Sequence, residues 1–223
     1  MNRHHFISMI AACLLCMAYG HADGATRTFD IDGWTLKVDD LSGRIDLLHG
    51  DRPVIENSTA QWQEAGDTVS FADCHGLSVK MRDGHTALGK GKTVTLTGRK
   101  GGMTAEQIIG FYPDSDFVTT ELILTSPRGV SSRYIAPIAV TDGYRAFDRS
   151  GNYAVFVPYD NDAWVRYRST AFGERIPDSY EATALVNADT RRAIVVGSVE
   201  HDTWKTGIKV ATDGACRVDT LIA

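Results

Sequence analysis

Aromatic, carboxylate and amide side chains are concentrated in residues 158–167, Pro-Tyr-Asp-Asn-Asp-Ala-Trp-Val-Arg-Tyr. Sugars bind to such groups, because their hydroxyls hydrogen-bond to Asp and Asn and their C–H faces pack on Trp or Tyr rings. The stretch is therefore a candidate sugar-binding loop that contains Asp160, Asp162 and Trp164. On residue chemistry alone a simpler structure is favoured, a turn at Asp160-Asn161 with Trp164 in the core, since Asn and Asp initiate turns without any ligand.

A second polar and aromatic stretch covers residues 197–208. In an extended strand Glu200 and Asp202 share one face about 7 Å apart, near the lower limit of about 6.5 Å for the two carboxylates of an inverting glycosidase. Any pair of acids two residues apart has this spacing, so catalysis by this pair is a weak hypothesis. Alternation turns His201 away from both acids, which argues against a metal site.

The remaining motifs indicate neither a phosphate-binding loop nor a serine nucleophile. Gly89-Lys90-Gly91-Lys92 lacks the spacing and the following helix of a phosphate-binding loop, and is typical of a hairpin tip. Neither Ser150 nor Ser198 has the sequence context of a nucleophile. We therefore predict no metal site and no cofactor.

Strands and turns must position these side chains. Two alternating runs, 28–31 and 34–38, flank Asp32-Gly33, the dipeptide that best fits a type I′ hairpin turn. Gly43 precedes a third run, 44–48. Further strands are predicted at 68–71, 77–81, 93–97, 104–110, 117–125, 134–140, 153–157, 164–167, 180–187, 194–200, 206–212 and 217–221.

This spacing of about 10 to 12 residues between strands is typical of a β-sandwich or barrel, and no run shows a helical period. We predict one all-β domain, a large two-sheet antiparallel β-sandwich. The last strand ends almost at Ala223, from which we expect the chain to be the front part of a longer protein.

The first 22 residues have the pattern of a secretory signal peptide. Arg3 supplies a positive charge, and residues 6–17 form an apolar run too short to anchor in a bilayer. Small residues permit cleavage before His21 or before Asp23, and Cys13 leaves a lipoprotein signal as an alternative. We therefore expect export to the periplasm or the extracellular space, with residues 23–223 as the β-sandwich domain.

The net charge of the chain argues against two classes of partner. Among 223 residues, 23 Lys and Arg face 28 Asp and Glu, a net charge of -5, which lacks the cationic field that nucleic acid or anionic lipid needs. We predict no nucleic-acid partner and no membrane span.

Two cysteines, Cys74 and Cys216, remain after the signal is removed. They form either one disulfide that closes a long loop or two buried free thiols, and the free thiols are favoured.

Three segments resemble the amino-terminal β-sandwich of α-galactosidase-like (melibiase-type) glycoside hydrolases. They are Phe156-Val157-Pro158-Tyr159-Asp160-Asn161-Asp162, Ser179-Tyr180-Glu181-Ala182-Thr183-Ala184-Leu185, and residues 197–208, with similar early strands through Tyr112-Pro113-Asp114. The resemblance implies a galactose-mutarotase-like supersandwich that packs on a catalytic barrel which cleaves α-linked sugars.

In that family the catalytic carboxylates belong to the barrel, and nothing in this chain matches their motif. The resemblance thus implies a non-catalytic accessory domain with no catalytic residue of its own and with the barrel of the same polypeptide as partner. It implies Asp160, Asp162 and Trp164 as contacts to the sugar, and Trp204 and Lys205 as secondary contacts. A freestanding carbohydrate-binding or surface-interaction module is the alternative of a different class.

Overall fold

A computed structural model describes residues 25–86, 88–160, 165–200, 204–214 and 216–223. Within these ranges the chain forms β-strands and a single turn of 3-10 helix, Phe71–Asp73, and this part contains no helix long and apolar enough to cross a membrane. The strands are β1 (Thr26–Ile31), β2 (Trp34–Asp39), β3 (Ile45–His49), β4 (Arg52–Glu64), β5 (Asp67–Ser70), β6 (His75–Thr86), β7 (Gly89–Lys100), β8 (Met103–Phe111), β9 (Val118–Thr125), β10 (Ile135–Val140), β11 (Asn152–Phe156), β12 (Arg168–Ala171), β13 (Ser179–Tyr180), β14 (Ala182–Asn187), β15 (Arg192–Gly197), β16 (Gly207–Thr212) and β17 (Val218–Ile222).

The first hairpin has the predicted turn. Asp32 and Gly33 have φ values of 47° and 84°, the left-handed conformation that both central positions of a type I′ turn require. The register pairs Ile31 with Trp34 and Thr26 with Asp39. The local sequence thus fixes which face of β2 is buried.

Antiparallel pairing joins the described strands into three sheets. The large sheet has nine strands, in the order β1-β2-β3-β4-β10-β17-β16-β13 with β5 paired to β4. The N-side sheet has the order β6-β7-β8-β9, and the C-side sheet has the order β12-β11-β14-β15. The all-β antiparallel sandwich predicted from the sequence is confirmed, with the strands outside the large sheet divided into two smaller sheets.

One hydrophobic cluster connects the three sheets. Trp62 of the large sheet meets Phe71 edge-on, with ring centroids 5.9 Å apart. Gln107 of the N-side sheet is fully buried and donates to the carbonyl of Pro137 at 2.9 Å. From the C-side sheet, Leu185 and Val196 join the same cluster. The core therefore holds the two smaller sheets against the large one.

Several sequence expectations were wrong in detail. Strand β4 was missed, because three consecutive residues, 58–60, are buried and Asn57 has a φ of 55°, so the alternation of a simple strand is broken. Residues 165–167 were predicted as strand but lie outside any strand, and β12 begins at Arg168. The predicted strand 194–200 ends at Gly197, and Glu181 separates β13 from β14.

Candidate functional site

Three chain segments meet where the C-side sheet approaches the edge of the large sheet. Strand β11 ends at Phe156, and Tyr180 donates its backbone N–H to the carbonyl of Val157 at 3.0 Å. Tyr180 is also paired with Gly207 at the start of β16. The backbone therefore brings the segment after β11 next to the segment that precedes β16, although about 45 residues separate them in the sequence.

Side chains from these segments form what we call the tyrosine cleft: Tyr159, Tyr180, Glu181 and Lys205. The two tyrosine rings meet edge to face, with centroids 4.9 Å apart and planes at 87°. The Lys205 ammonium lies 4.7 Å from the centre of the Tyr159 ring and 3.7 Å from a carboxylate oxygen of Glu181. Tyr159 is 59% exposed, so much of its side chain is accessible to a ligand.

The backbone at Glu181 holds the cleft together. Its N–H donates to the carbonyl of Thr206 at 2.9 Å, and its carbonyl accepts from the N–H of Ser198 at 2.8 Å. Its φ of 64° is unfavourable for a residue with a side chain, costing on the order of 1 kcal/mol. The two hydrogen bonds keep the strained conformation in place, and with it the carboxylate beside Lys205.

Two cavities open onto the cleft. The smaller, of about 690 Å³, is lined by Tyr159, Asp160, Arg168, Arg175 and Tyr180 among others. The larger, of about 2080 Å³, is an open groove that reaches Tyr180, Trp204 and Lys205. Tyr180 and Asp178 line both cavities. The cleft thus offers aromatic rings together with charged hydrogen-bonding groups, the mixture that suits a sugar.

Three of the five predicted site residues lie at the cleft or its cavities, and the other two lie outside the described residues. Lys205 belongs to the cleft, Asp160 follows Tyr159 on the exposed side of the smaller cavity, and Trp204 is 68% exposed along the groove. Asp162 and Trp164 lie outside the described residues. The two stretches chosen from the sequence do come together, through the contact between Lys205 and Tyr159. Their role in binding a sugar stays a prediction.

Tyr159, Tyr180 and Glu181 were not predicted as site residues from the sequence. Tyr159 and Tyr180 lie 21 positions apart, each next to the end of a strand, and only the pairing of the strands shows that they touch. A left-handed conformation at a glutamate has no signature in the local sequence. The one available signal was that both tyrosines fall in segments that resemble the glycosidase sandwich.

The premise of the Glu200 and Asp202 pair was wrong. Beyond Gly197 the chain is no longer a strand, and the hydroxyl of Ser198 donates to the carbonyl of Glu200 at 2.7 Å, which bends the chain locally. Alternation along a strand therefore no longer applies at Glu200. Asp202 itself lies outside the described residues.

Other reactive chemistry is not assembled in the described part of the chain. Over these residues no group of three or more His, Cys, Asp or Glu is placed to hold a metal ion. Cys74 and Cys216 are free thiols. Burial, together with the charge of Asp73, raises the pKa of the Cys74 thiol to about 11, so at neutral pH it is protonated and a poor nucleophile.

Comparison with known proteins adds a likeness of fold. No protein-family model and no curated protein matches the chain. A solved structure of the α-N-acetylgalactosaminidase NagBb from Bifidobacterium bifidum, in complex with GalNAc, superposes on 88% of this chain with a TM-score of 0.54 and 12% identity. At that identity the likeness shows the fold alone. The match covers 32% of that enzyme, so the chain spans about a third of its length.

Proposed function

We propose that this chain is a non-catalytic accessory domain of an exported glycoside hydrolase that acts on α-linked sugars in the manner of an α-galactosidase. The domain packs on the catalytic barrel of the same polypeptide and contributes residues of the tyrosine cleft, with Asp160, Asp162 and Trp164, to the sugar site. The observation that carries the proposal is the cleft itself, with Tyr159 and Tyr180 edge to face and Lys205 over the Tyr159 ring.

Physical chemistry supports a sugar as the ligand of the cleft. The exposed Tyr159 ring offers an apolar surface to the C–H face of a pyranose. The nearby Lys205 ammonium and Asp160 carboxylate supply a donor and an acceptor for ring hydroxyls. The fold is also found as one part of a glycosidase about three times as long, which is consistent with an accessory role.

A freestanding carbohydrate-binding module is the second candidate, and the exposure of the aromatic side chains favours it. Tyr159 and Trp204 are 59% and 68% exposed, so the cleft needs no second domain to receive a sugar. The two candidates differ in whether the isolated chain binds a glycan unaided.

The first test extends the open reading frame beyond Ala223. The accessory role predicts several hundred further residues of alternating strand and helix, and a stop codon directly after Ala223 contradicts it. The isolated chain is then titrated calorimetrically with methyl α-galactoside and with GalNAc. Binding at micromolar to low-millimolar concentration by a chain with no catalytic domain supports the freestanding module.

The second test probes the cleft in the longer enzyme with Tyr159→Ala. Loss of the ring removes a stacking surface worth about 1 kcal/mol, so we expect KM for an aryl α-galactoside to rise about fivefold with little change in kcat. Tyr159→Phe is the matched control, since it keeps the ring and should leave KM nearly unchanged. Equal KM values for the wild type and Tyr159→Ala would exclude the cleft from the sugar site.

A further inference from the structure

The outer face of the C-side sheet carries no charged side chain. The register places Tyr153 beside Val186 and Ala171, and Ala184 beside Val195, all on the side that points away from the buried Ala154 and Leu185. Because side chains alternate along a strand, the complete face can be read from the pairing. Its members are Tyr153, Val155, Ser169, Ala171, Ala182, Ala184, Val186, Ala193, Val195 and Gly197. We call this surface the apolar face.

The outer faces of the N-side sheet and the large sheet, by contrast, carry charged side chains. In the N-side sheet the outward row that pairs Lys80, Thr95, Ile108 and Glu121 carries charges of both signs. In the large sheet the outward row that joins Thr28, Lys37 and Asp46 does the same. Sheet faces in contact with water normally carry polar side chains in this way. The apolar face therefore has the composition of a covered surface.

Exposure and edge position strengthen this contrast. Val195 is 72% exposed at the centre of β15, and Tyr153 is 38% exposed. Strand β15 is also an edge of its sheet, where soluble proteins usually place charges to prevent unwanted contacts. The one charged residue of β15, Arg192, belongs to the opposite side of the strand, and its guanidinium lies over the ring of Phe147.

We propose that the apolar face is the surface on which the catalytic domain of the same polypeptide packs, an inference that rests on the proposed function. The occupant is a flat, uncharged patch of aliphatic side chains on that domain. The small Ala side chains of the face, and Gly197 with no side chain, allow its backbone to approach the partner closely, and Val195 is the side chain that projects into the partner.

The area of the face distinguishes this occupant from a second copy of the chain. Four strands spaced about 4.8 Å apart, each with two or three outward positions, cover roughly 300 Å². A stable dimer needs about 800 Å² from each partner. Interfaces between domains of one chain begin at about 300 Å² a side, since a covalent link holds the second domain at a high effective concentration.

The position of the apolar face beside the tyrosine cleft also fits contact with the catalytic domain. Strand β11 ends, β14 begins and β15 ends at the same end of the C-side sheet, where Ala182 pairs with Gly197. Glu181 of the tyrosine cleft immediately precedes Ala182. A domain seated on the apolar face therefore lies directly beside the cleft, where the two can share one sugar.

Thiol labelling tests the contact in the isolated chain and in the longer protein encoded by the extended reading frame. Cys74 and Cys216 are first replaced by serine, and a single cysteine is introduced as Val195→Cys or, as the matched control, as Lys80→Cys on the charged outer face of the N-side sheet. We expect a maleimide to react with both cysteines at similar rates in the isolated chain. In the longer protein we expect Val195→Cys to react at least tenfold more slowly and Lys80→Cys to be unchanged.

The outcomes separate this inference from the proposed function. Equal rates for Val195→Cys in the two proteins overturn the contact, even if Tyr159→Ala raises KM as expected. Protection of Val195→Cys together with an unchanged KM for Tyr159→Ala supports the contact and contradicts the role of the cleft. Protection that appears in the isolated chain and grows with its concentration shows that a second copy covers the face, and overturns the contact. A reading frame that ends at Ala223 overturns both.

Discussion

Replacement of Asn187 by alanine should weaken the C-side sheet more than any change at its surface. The Asn187 side chain is fully buried and makes four hydrogen bonds. Its amide N–H groups donate to the Asn152 side-chain oxygen at 2.5 Å and to the Ser150 carbonyl at 3.1 Å. Its oxygen accepts from the N–H and the hydroxyl of Thr190 at 2.8 and 2.7 Å. The side chain therefore fixes the turn between β14 and β15 to the start of β11.

The expected loss in the free energy of unfolding depends on which hydrogen-bond partners of Asn187 can bind water once its side chain is removed. Thr190 is exposed, so its two groups are rehydrated in Asn187→Ala and their loss costs little. Asn152 is 3% exposed, and its orphaned oxygen bears most of the desolvation cost of an unpaired buried group, about 1 to 3 kcal/mol. With the small cavity left behind, we expect Asn187→Ala to lower the free energy of unfolding by about 2 to 4 kcal/mol.

Urea denaturation followed by tryptophan fluorescence measures this loss, because Trp34 and Trp62 are buried and report on the core. Thr190→Ala is the matched control, since it removes one hydrogen bond at an exposed residue and should cost less than about 1 kcal/mol. If Asn187→Ala cost no more than Thr190→Ala, the assigned role of the buried amide network would be refuted.

Three further predictions concern stability and reactivity. Gly43→Ala should cost about 2 to 4 kcal/mol, because φ is 64° and the new Cβ would lie 2.4 Å from Cβ of Phe71, whereas Gly50→Ala, with φ of 58° and open space around it, should cost only about 1 kcal/mol in the same urea assay. Hydrogen bonds from Ser42 lower the pKa of Asp39, so the stability that this carboxylate contributes is present above about pH 4 and is lost as the pH falls through the depressed pKa; the stability gap to Asp39→Asn should close in acid and persist at neutral pH. In a Cys216→Ser background, Cys74 should react with a disulfide reagent at pH 8 at least tenfold more slowly than after unfolding in urea, and equal rates would contradict the raised pKa of about 11.

Local patterns were enough to predict many of the strands. The Asp32-Gly33 hairpin, the strand through Thr104–Gly110 and the final pair of strands all appear as expected, with shifts of a residue or two at their ends. These elements were predictable because two-residue alternation and turn glycines are properties of neighbouring residues. The missed β4 shows the limit, since its bulges and the left-handed Asn57 hide the alternation.

The site was predictable only in part. Composition drew attention to residues 158–167 and 197–208, and the structure brings them together through Lys205 and Tyr159. The sequence could not identify Tyr180 and Glu181 as the residues between them, because they are placed by the pairing of β13 with β16 and by one strained φ. Nor could it show that the outer face of one sheet lacks charge, since a face exists only once the register of four strands is known.

By itself, then, the amino-acid sequence determined the all-β class, its turns and the concentration of aromatic and polar side chains in two stretches, because each depends on residues within a few positions of one another. The tertiary structure alone decided how the sheets are divided, which tyrosines meet and which face is left without charge. The physical reason is that pairing between distant strands is selected by burial of the whole core, to which residues such as Trp62, Ile109 and Leu185 contribute from different sheets. No local stretch of the chain carries that information.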